Sequence, residues 1–276
     1  MRQKLEKQSN RRGDTLIEVM LSISIFAMVS LLTINMMNGG INTAQRTLEA
    51  EMARNEIDGQ ADALRYIHNN YVAERNMDNS QFRKAWNTIT QKAMRPSQVK
   101  DGEDNNVFFD INNMESCEEP YEGGNHLENF RAFVINPRLL IPNNFSDEGE
   151  HNTDIEYMGI PYDKLLNKML VYANDQDGKN VFSSPSLYPR IIYKEMDSSA
   201  TDDELEDRSL YDYGAIYNDI AKAEGIWINA VGNDNQFSYR SDYFDFYIRT
   251  CWLSAGTRVP STITTVVRLY NPEVME

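Results

Sequence analysis

Gly13, Asp14 and Glu18 are the residues whose types and spacing could do chemistry here. Glu18 stands five residues after the glycine, inside the start of an apolar run that begins at Val19, and no further charge occurs until Arg46. A carboxylate at the edge of hydrocarbon costs about 2.5–3.5 kcal/mol unless it finds a partner, so an acid kept there is read as functional by default. Gly13 is the small residue at which a peptidase could cut. Cutting there would discard Met1–Gly13, leave the greasy segment as the new N-terminus, and create a cationic amine on Asp14. An ordinary secretory signal has the opposite order, with the apolar region lost on cleavage. A plain signal anchor with an incidental acid at its cytoplasmic edge is the alternative.

Charge fixes the direction of insertion. The leader, residues 1–13, carries Arg2, Lys4, Lys7, Arg11 and Arg12 against Glu6, for a net +4; the whole chain is −15, leaving −19 for the rest. Basic flanks stay on the cytoplasmic side, which predicts a single pass with the N-terminus inside and everything after the helix outside. The acidic exterior argues against nucleic acid as a direct partner, since phosphate contacts need clustered Lys and Arg. The run Val19–Met37 is 19 residues, just enough at about 1.5 Å per residue to cross about 30 Å of hydrocarbon. Ser22, Ser24, Ser30 and Thr33 are tolerated there because their hydroxyls can bond back to helix carbonyls.

The first forty residues resemble the class III signal of type IV pilin-like prepilins. In that family a basic leader ends in Gly and is followed by a Thr-Leu-Ile-Glu-like core. Gly13, Thr15, Leu16, Ile17 and Glu18 match it position by position, and Asp14 departs from it, standing where the family usually has Phe or another apolar residue. The resemblance implies cleavage after Gly13 by a prepilin peptidase and methylation of the new amine on Asp14. It implies assembly with other pilin subunits on a membrane platform, with Leu16, Ile17 and Glu18 in the assembly segment. In such filaments the acid pairs with the amine of a neighbouring subunit and sets the stagger. The protein would pass from the membrane to the cell surface, as a minor or specialised pilin or pseudopilin. Two other classes stay open: a membrane-anchored extracellular adhesin or receptor that never polymerises, and a surface-anchored enzyme.

Beyond the membrane, Ile41, Ala44, Leu48, Met52, Ile57, Ala61, Leu64, Ile67/His68 and Tyr71 form an approximate apolar stripe that extends the helix to about residue 75. Arg46, Glu49, Glu51, Arg54, Glu56, Asp58 and Arg65 are read onto its other faces. Asn38-Gly39-Gly40 is read as an interruption, each glycine costing about 1 kcal/mol against alanine. A second helix is predicted from a Ser80 cap to Pro96, with Phe82, Ala85, Trp86, Ile89 and Ala93 on one face. Strands are predicted at 107–111, 130–135, 168–172, 190–193, 225–231, 243–251 and 264–270, the last three as an antiparallel meander. The expected fold is α+β: a long N-terminal helix, transmembrane in its first half, with an antiparallel sheet, which the pilin resemblance implies are packed together. The expected organisation is leader 1–13, filament-core helix 14–38, extracellular helix 39–75 and globular head 76–276.

Other candidates are weaker. Cys117 and Cys251 could form one disulfide in an exported head or stay as two buried thiols. Asp175-Gln-Asp177-Gly178 lacks a first and a twelfth ligand for a calcium loop, so a turn is expected there. The acidic run 197–207 reads as a solvated loop. His68, His126 and His151 lack a metal-ligand spacing, and no glycine-rich phosphate loop, Gly-x-Ser-x-Gly elbow or Cys-x-x-Cys pair occurs. No metal, cofactor or catalytic residue is therefore expected. Tyr211, Tyr213 and the tyrosines from Tyr239 to Tyr247 could make an adhesive surface or simply cover the sheet.

Overall fold

The computed structural model describes residues 12–76, 80–95, 116–118, 120–121, 131–139, 156–157, 160–161, 169–173, 181–193, 220–234 and 241–274. Helix α1 runs Arg12–Ala73 and helix α2 Gln81–Gln91. Strands β1 (Phe133–Ile135), β2 (Glu156–Tyr157), β3 (Ile160–Pro161), β4 (Leu170–Tyr172), β5 (Phe182–Ser183), β6 (Arg190–Tyr193), β7 (Ile220–Glu224), β8 (Ile226–Gly232), β9 (Tyr243–Trp252) and β10 (Ser261–Tyr270) follow. The chain divides into two compact units, Met1–Leu48 and Glu49–Glu276. The second unit begins within the stretch read as extracellular helix 39–75.

The fold class is α+β, with an antiparallel sheet packed on α1. Five strands take the order β10-β9-β8-β1-β4, all neighbours antiparallel. A three-stranded sheet, β5-β7-β6, and the small β2-β3 pair complete the strands. The last three strands form the expected meander; the strand at 107–111 and the cap at Pro96 lie outside the described residues. β9 runs beside α1 with opposite sense: Nε2 of His68 lies 2.9 Å from the carbonyl oxygen of Tyr270, the β10 residue paired with Tyr243 at the start of β9, and Glu49 accepts from Trp252 at the other end of β9. Nineteen helical steps cover about 29 Å and nine strand steps about 30 Å, so the two elements match in length.

Alternation along the central strands separates two cores. Phe133 and Ile135 of β1, Ile228 and Ala230 of β8, and Phe244, Phe246 and Ile248 of β9 face the helices, meeting Ile57, Leu64, Ile67, Trp86 and Ile89. Ala132, Val134, Trp227 and Cys251 face the other way, onto Phe182, Ile191, Ile220 and Ala223 around the smaller sheet. Trp86 sits edge-on to Phe244 and Phe246, at 5.8 Å between centroids in each case. α2 presents the apolar face read from its sequence, plus Thr90, whose hydroxyl donates to the Trp86 carbonyl. Ser80 caps it by accepting from the Arg83 amide while donating to Glu74, and α2 ends at Gln91.

Three readings of α1 are corrected. The helix continues through Asn38-Gly39-Gly40. Both glycines lie in open space, and Thr43 donates to the Gly39 carbonyl, so nothing there competes with the helical ladder, and the propensity cost is absorbed. The buried stripe keeps Ile57, Ala61, Leu64, Ile67 and Tyr71 as read, but it also admits Gln60 and begins at Glu49 and Ala53, while Leu48 is exposed. Glu49 thus leaves the solvent face assigned to it. The two polar members hold position because each has a partner. Gln60 is paired like a strand residue, its Nε2 donating to the Ile135 carbonyl and its Oε1 accepting from the Ile135 amide, both at 2.8 Å. Gln60→Leu is expected to leave that amide and carbonyl unsatisfied in the core. The loss, read from the urea midpoint of the second unit, Glu49–Glu276, should be about 2–4 kcal/mol. A change within about 0.5 kcal/mol would show that the pairing carries no net stability.

Candidate functional site

Among the described residues the first unit is a single helix, apolar from Val19 to Met37. From Leu16 to Met37 the large apolar side chains are exposed, reaching 76% at Met36. A helix that is hydrophobic all round is normally buried in a large core or in lipid, and a patch of this extent far exceeds what a soluble monomer leaves open. This is the one helix among the described residues long and apolar enough to cross a membrane. Three of its hydroxyls are satisfied locally. Ser22 donates to the Glu18 carbonyl at 2.8 Å, Ser24 to Met20 at 2.7 Å and Thr33 to Val29 at 2.8 Å. These hydroxyls therefore demand no outside partner.

Glu18 lies on this helix with its carboxylate exposed, one turn before Ser22, and Leu16 and Ile17 beside it are exposed as well. Gly13 and Asp14 fall in the first turn of α1, which starts at Arg12. Residues 1–11 lie outside the described part, so the structure brings Gly13, Asp14, Leu16, Ile17 and Glu18 together on one helix end and says nothing of the basic leader. What the arrangement offers is an acid on an otherwise apolar surface, available to a cation supplied from outside the helix.

In the second unit Cys117 and Cys251 are disulfide-bonded, with Cα atoms 5.6 Å apart and a sequence separation of 134. Cys251 is wholly buried in the core beneath the smaller sheet. Next to it the backbone is unusually close. Gly225 has φ +63°, and a Cβ there would stand 2.5 Å from the Cys251 carbonyl oxygen and 2.7 Å from Cγ of Pro185. The Cys251 amide in turn donates to the Gly225 carbonyl.

Glu49, Trp252 and Ser254 form a site that sequence reasoning missed. Glu49 is 6% exposed, and its Oε2 accepts from the Ser254 hydroxyl at 2.8 Å and from Trp252 Nε1 at 3.3 Å. The legible signal was the four-residue step from Glu49 to Ala53 to Ile57, which continues through Gln60 to Tyr71 and admits both polar residues only if the stripe is allowed to carry them.

Of the remaining candidates, His68 stacks on Trp86 at 5.2 Å between centroids and bonds the Tyr270 carbonyl, which makes it a packing residue of the head. Tyr71 donates to Glu273 at 3.0 Å, and burial together with that carboxylate pushes its phenol up to about 12. Tyr243 and Tyr247 are half-buried on the sheet, with Arg268 over the Tyr243 ring and bridged to Asp245. Asp175, Asp177, the run 197–207, Tyr211, Tyr213, Tyr239, His126 and His151 lie outside the described residues. No group of three or more His, Cys, Asp or Glu placed to hold a metal occurs among the described residues. Comparison with family models, curated proteins and solved structures finds no match to this chain.

Proposed function

We propose that this chain is a prepilin: a structural subunit, not an enzyme, that is cut after Gly13 and joins a filament of the type IV pilus or pseudopilus kind through its apolar helix. The observation that carries the reading is the helix Leu16–Met37, exposed on every side, with Glu18 as its lone charge, five residues after Gly13. A purely lipid-facing anchor gains nothing from that acid, whereas a bundle of identical helices can use it. Cleavage puts a cationic amine on Asp14. In the bundle that amine meets the Glu18 of a neighbour, and each charge, costly alone in a low-dielectric setting, becomes tolerable only in register. The basic leader orients the chain with its N-terminus in the cytoplasm, so the acidic head lies outside. Partners on this reading are other pilin subunits, the prepilin peptidase and the membrane assembly platform.

Gly13 suits the cut for a second reason. The scissile bond lies in the first helical turn, and glycine is the residue that most weakens a helix locally, by about 1 kcal/mol against alanine. A peptidase can therefore open that turn cheaply. Mass spectrometry of the mature protein from its own cells should find a chain beginning at Asp14, its amine free or methylated. A wild-type chain still carrying Met1–Gly13 would defeat the proposal and leave a membrane-anchored adhesin or receptor as the better reading.

A further inference from the structure

Between the last two turns of α2 and the turn that follows β10 lies an open cavity of about 380 Å³, lined by Trp86, Asn87, Thr90, Gln91, Asn271 and Glu273. All six belong to the second unit. The α2 residues fall along one side of the helix by their three- and four-residue steps. The opposite wall is built around Asn271. Its Nδ2 donates to the Ser241 carbonyl at 3.1 Å, its Oδ1 accepts from the Glu273 amide at 3.2 Å, and its carbonyl accepts from the Val274 amide at 3.2 Å. Glu273 is held in turn by Tyr71 at 3.0 Å and Arg83 at 3.4 Å.

The cavity holds hydrogen-bonding capacity that the protein does not use. Trp86 is 1% exposed, and a buried tryptophan normally finds a partner for its N–H. This indole N–H has no acceptor among the described residues, yet it is not one of the polar atoms sealed in the core without a partner. It therefore opens on the cavity that Trp86 lines. The side-chain amides of Asn87 and Gln91, one turn apart, also make no hydrogen bond among the described residues. Thr90 gives its proton to the Trp86 carbonyl and keeps its oxygen as an acceptor.

We infer that this cavity binds a neutral pyranose, as one unit of a glycan whose other units lie in solvent. The lining selects the class. An indole donor, two amides and a hydroxyl oxygen set donors beside acceptors, which suits the vicinal hydroxyls of a sugar, each of them both. An apolar ligand would strip water from those groups and give nothing back. An ion finds no charge to balance, because Glu273 is already matched by Arg83. The volume is at the low end for small-molecule sites, which suits a single ring. Gln91 and Glu273 are exposed at the rim, so a longer glycan can continue outward. The site lies wholly within the second unit and does not depend on what α1 assembles with.

The test uses the full chain in a detergent without a sugar headgroup, with the methyl pyranosides of glucose, galactose, mannose and N-acetylglucosamine as probes. Isotope-labelled tryptophan gives three indole N–H signals by NMR, and Trp86→Phe identifies one of them by its loss. At least one probe at millimolar concentration should shift the Trp86 signal and leave in place that of Trp252, which donates to Glu49 and Ser254. That shift is read on the wild-type chain, so it decides whether or not a variant folds. The same probe should receive saturation transfer from the protein, reduced several-fold by Asn87→Leu/Gln91→Leu and unchanged by Thr264→Ala on the exposed side of β10. Neither Asn87 nor Gln91 is buried, so the double variant should keep the far-UV circular dichroism of wild type. No shift and no transfer with any probe overturns the inference. Transfer that survives the double variant places the sugar elsewhere and overturns it as well. A response to glucuronate as strong as to the neutral sugar, or to acetyl-triglycine amide and no sugar, assigns the lining to anions or to peptide backbone and has the same consequence.

Discussion

Glu18→Ala is expected to remain in the membrane and to disappear from filaments. Removing a carboxylate from the hydrocarbon edge relieves about 2.5–3.5 kcal/mol of insertion cost, so the anchored pool should be undiminished or larger. In a filament the same change strands the neighbour's amine, and breaking one side of a buried ion pair costs about 3–5 kcal/mol. That is on the order of a hundredfold or more in incorporation, since each 1.4 kcal/mol is a factor of ten. Sheared filaments and membranes probed with the same antibody give the ratio directly. Glu18→Asp keeps the charge on a shorter stem and should fall between alanine and wild type. Asp14 adds a condition specific to this chain, because it offers the new amine a carboxylate within its own subunit. Asp14→Phe should therefore strengthen the dependence on Glu18. Filaments holding Glu18→Ala at wild-type abundance would end the pairing argument.

The elements legible in the sequence were those with an unbroken pattern over many residues. The apolar run from Val19, the β9–β10 pair and the amphipathic face of α2 each repeat one period long enough to outvote local exceptions. β7 shows the opposite case. Its Ile-Ala-Lys-Ala-Glu favours helix, yet it lies between β5 and β6 as the middle strand of the smaller sheet, so tertiary pairing overrides propensity. β5, of two residues, is too short to show any period. The start of the α1 stripe, at Glu49 and Ala53 in place of Leu48 and Met52, was misread for a different reason. Leu48 and Met52 are more hydrophobic than Glu49 and Ala53, and only the partners of Glu49, more than 200 residues away, show why an acid is inside. Long-range polar pairing leaves no local trace. The same holds for Gln60 and Ile135, whose exchange of two hydrogen bonds spans 75 residues. The candidate site at Gly13, Asp14 and Glu18 could be proposed from type and spacing alone because it is a contiguous segment. The cluster of Glu49, Trp252 and Ser254 could not, because it is assembled from distant parts of the chain.

The second large effect is expected at the disulfide. Cys117→Ala/Cys251→Ala opens a closed loop of 134 residues, and chain entropy assigns such a cross-link about 5 kcal/mol, with measured losses for native disulfides of about 2–5 kcal/mol. The site amplifies the loss. Cys251 lies between Thr250, paired to β8 and β10, and Trp252, bonded to Glu49, so slackness there reaches the residue where α1 joins the second unit. In urea the double variant of the second unit, Glu49–Glu276, should lose at least about 2 kcal/mol against wild type, and wild type treated with reductant should move toward the variant. Gly225→Ala probes the same corner without touching sulfur. Its Cβ would meet the Cys251 carbonyl oxygen at 2.5 Å in a left-handed conformation that itself costs about 1–2 kcal/mol, so it too should lose at least that much. If the double variant were as stable as wild type while Gly225→Ala were not, the corner would be held by backbone packing and the cross-link would be dispensable. If both were neutral, the close approach of Gly225, Pro185 and Cys251 would have no energetic consequence, and the head's rigidity would have to come from the helix-facing core alone.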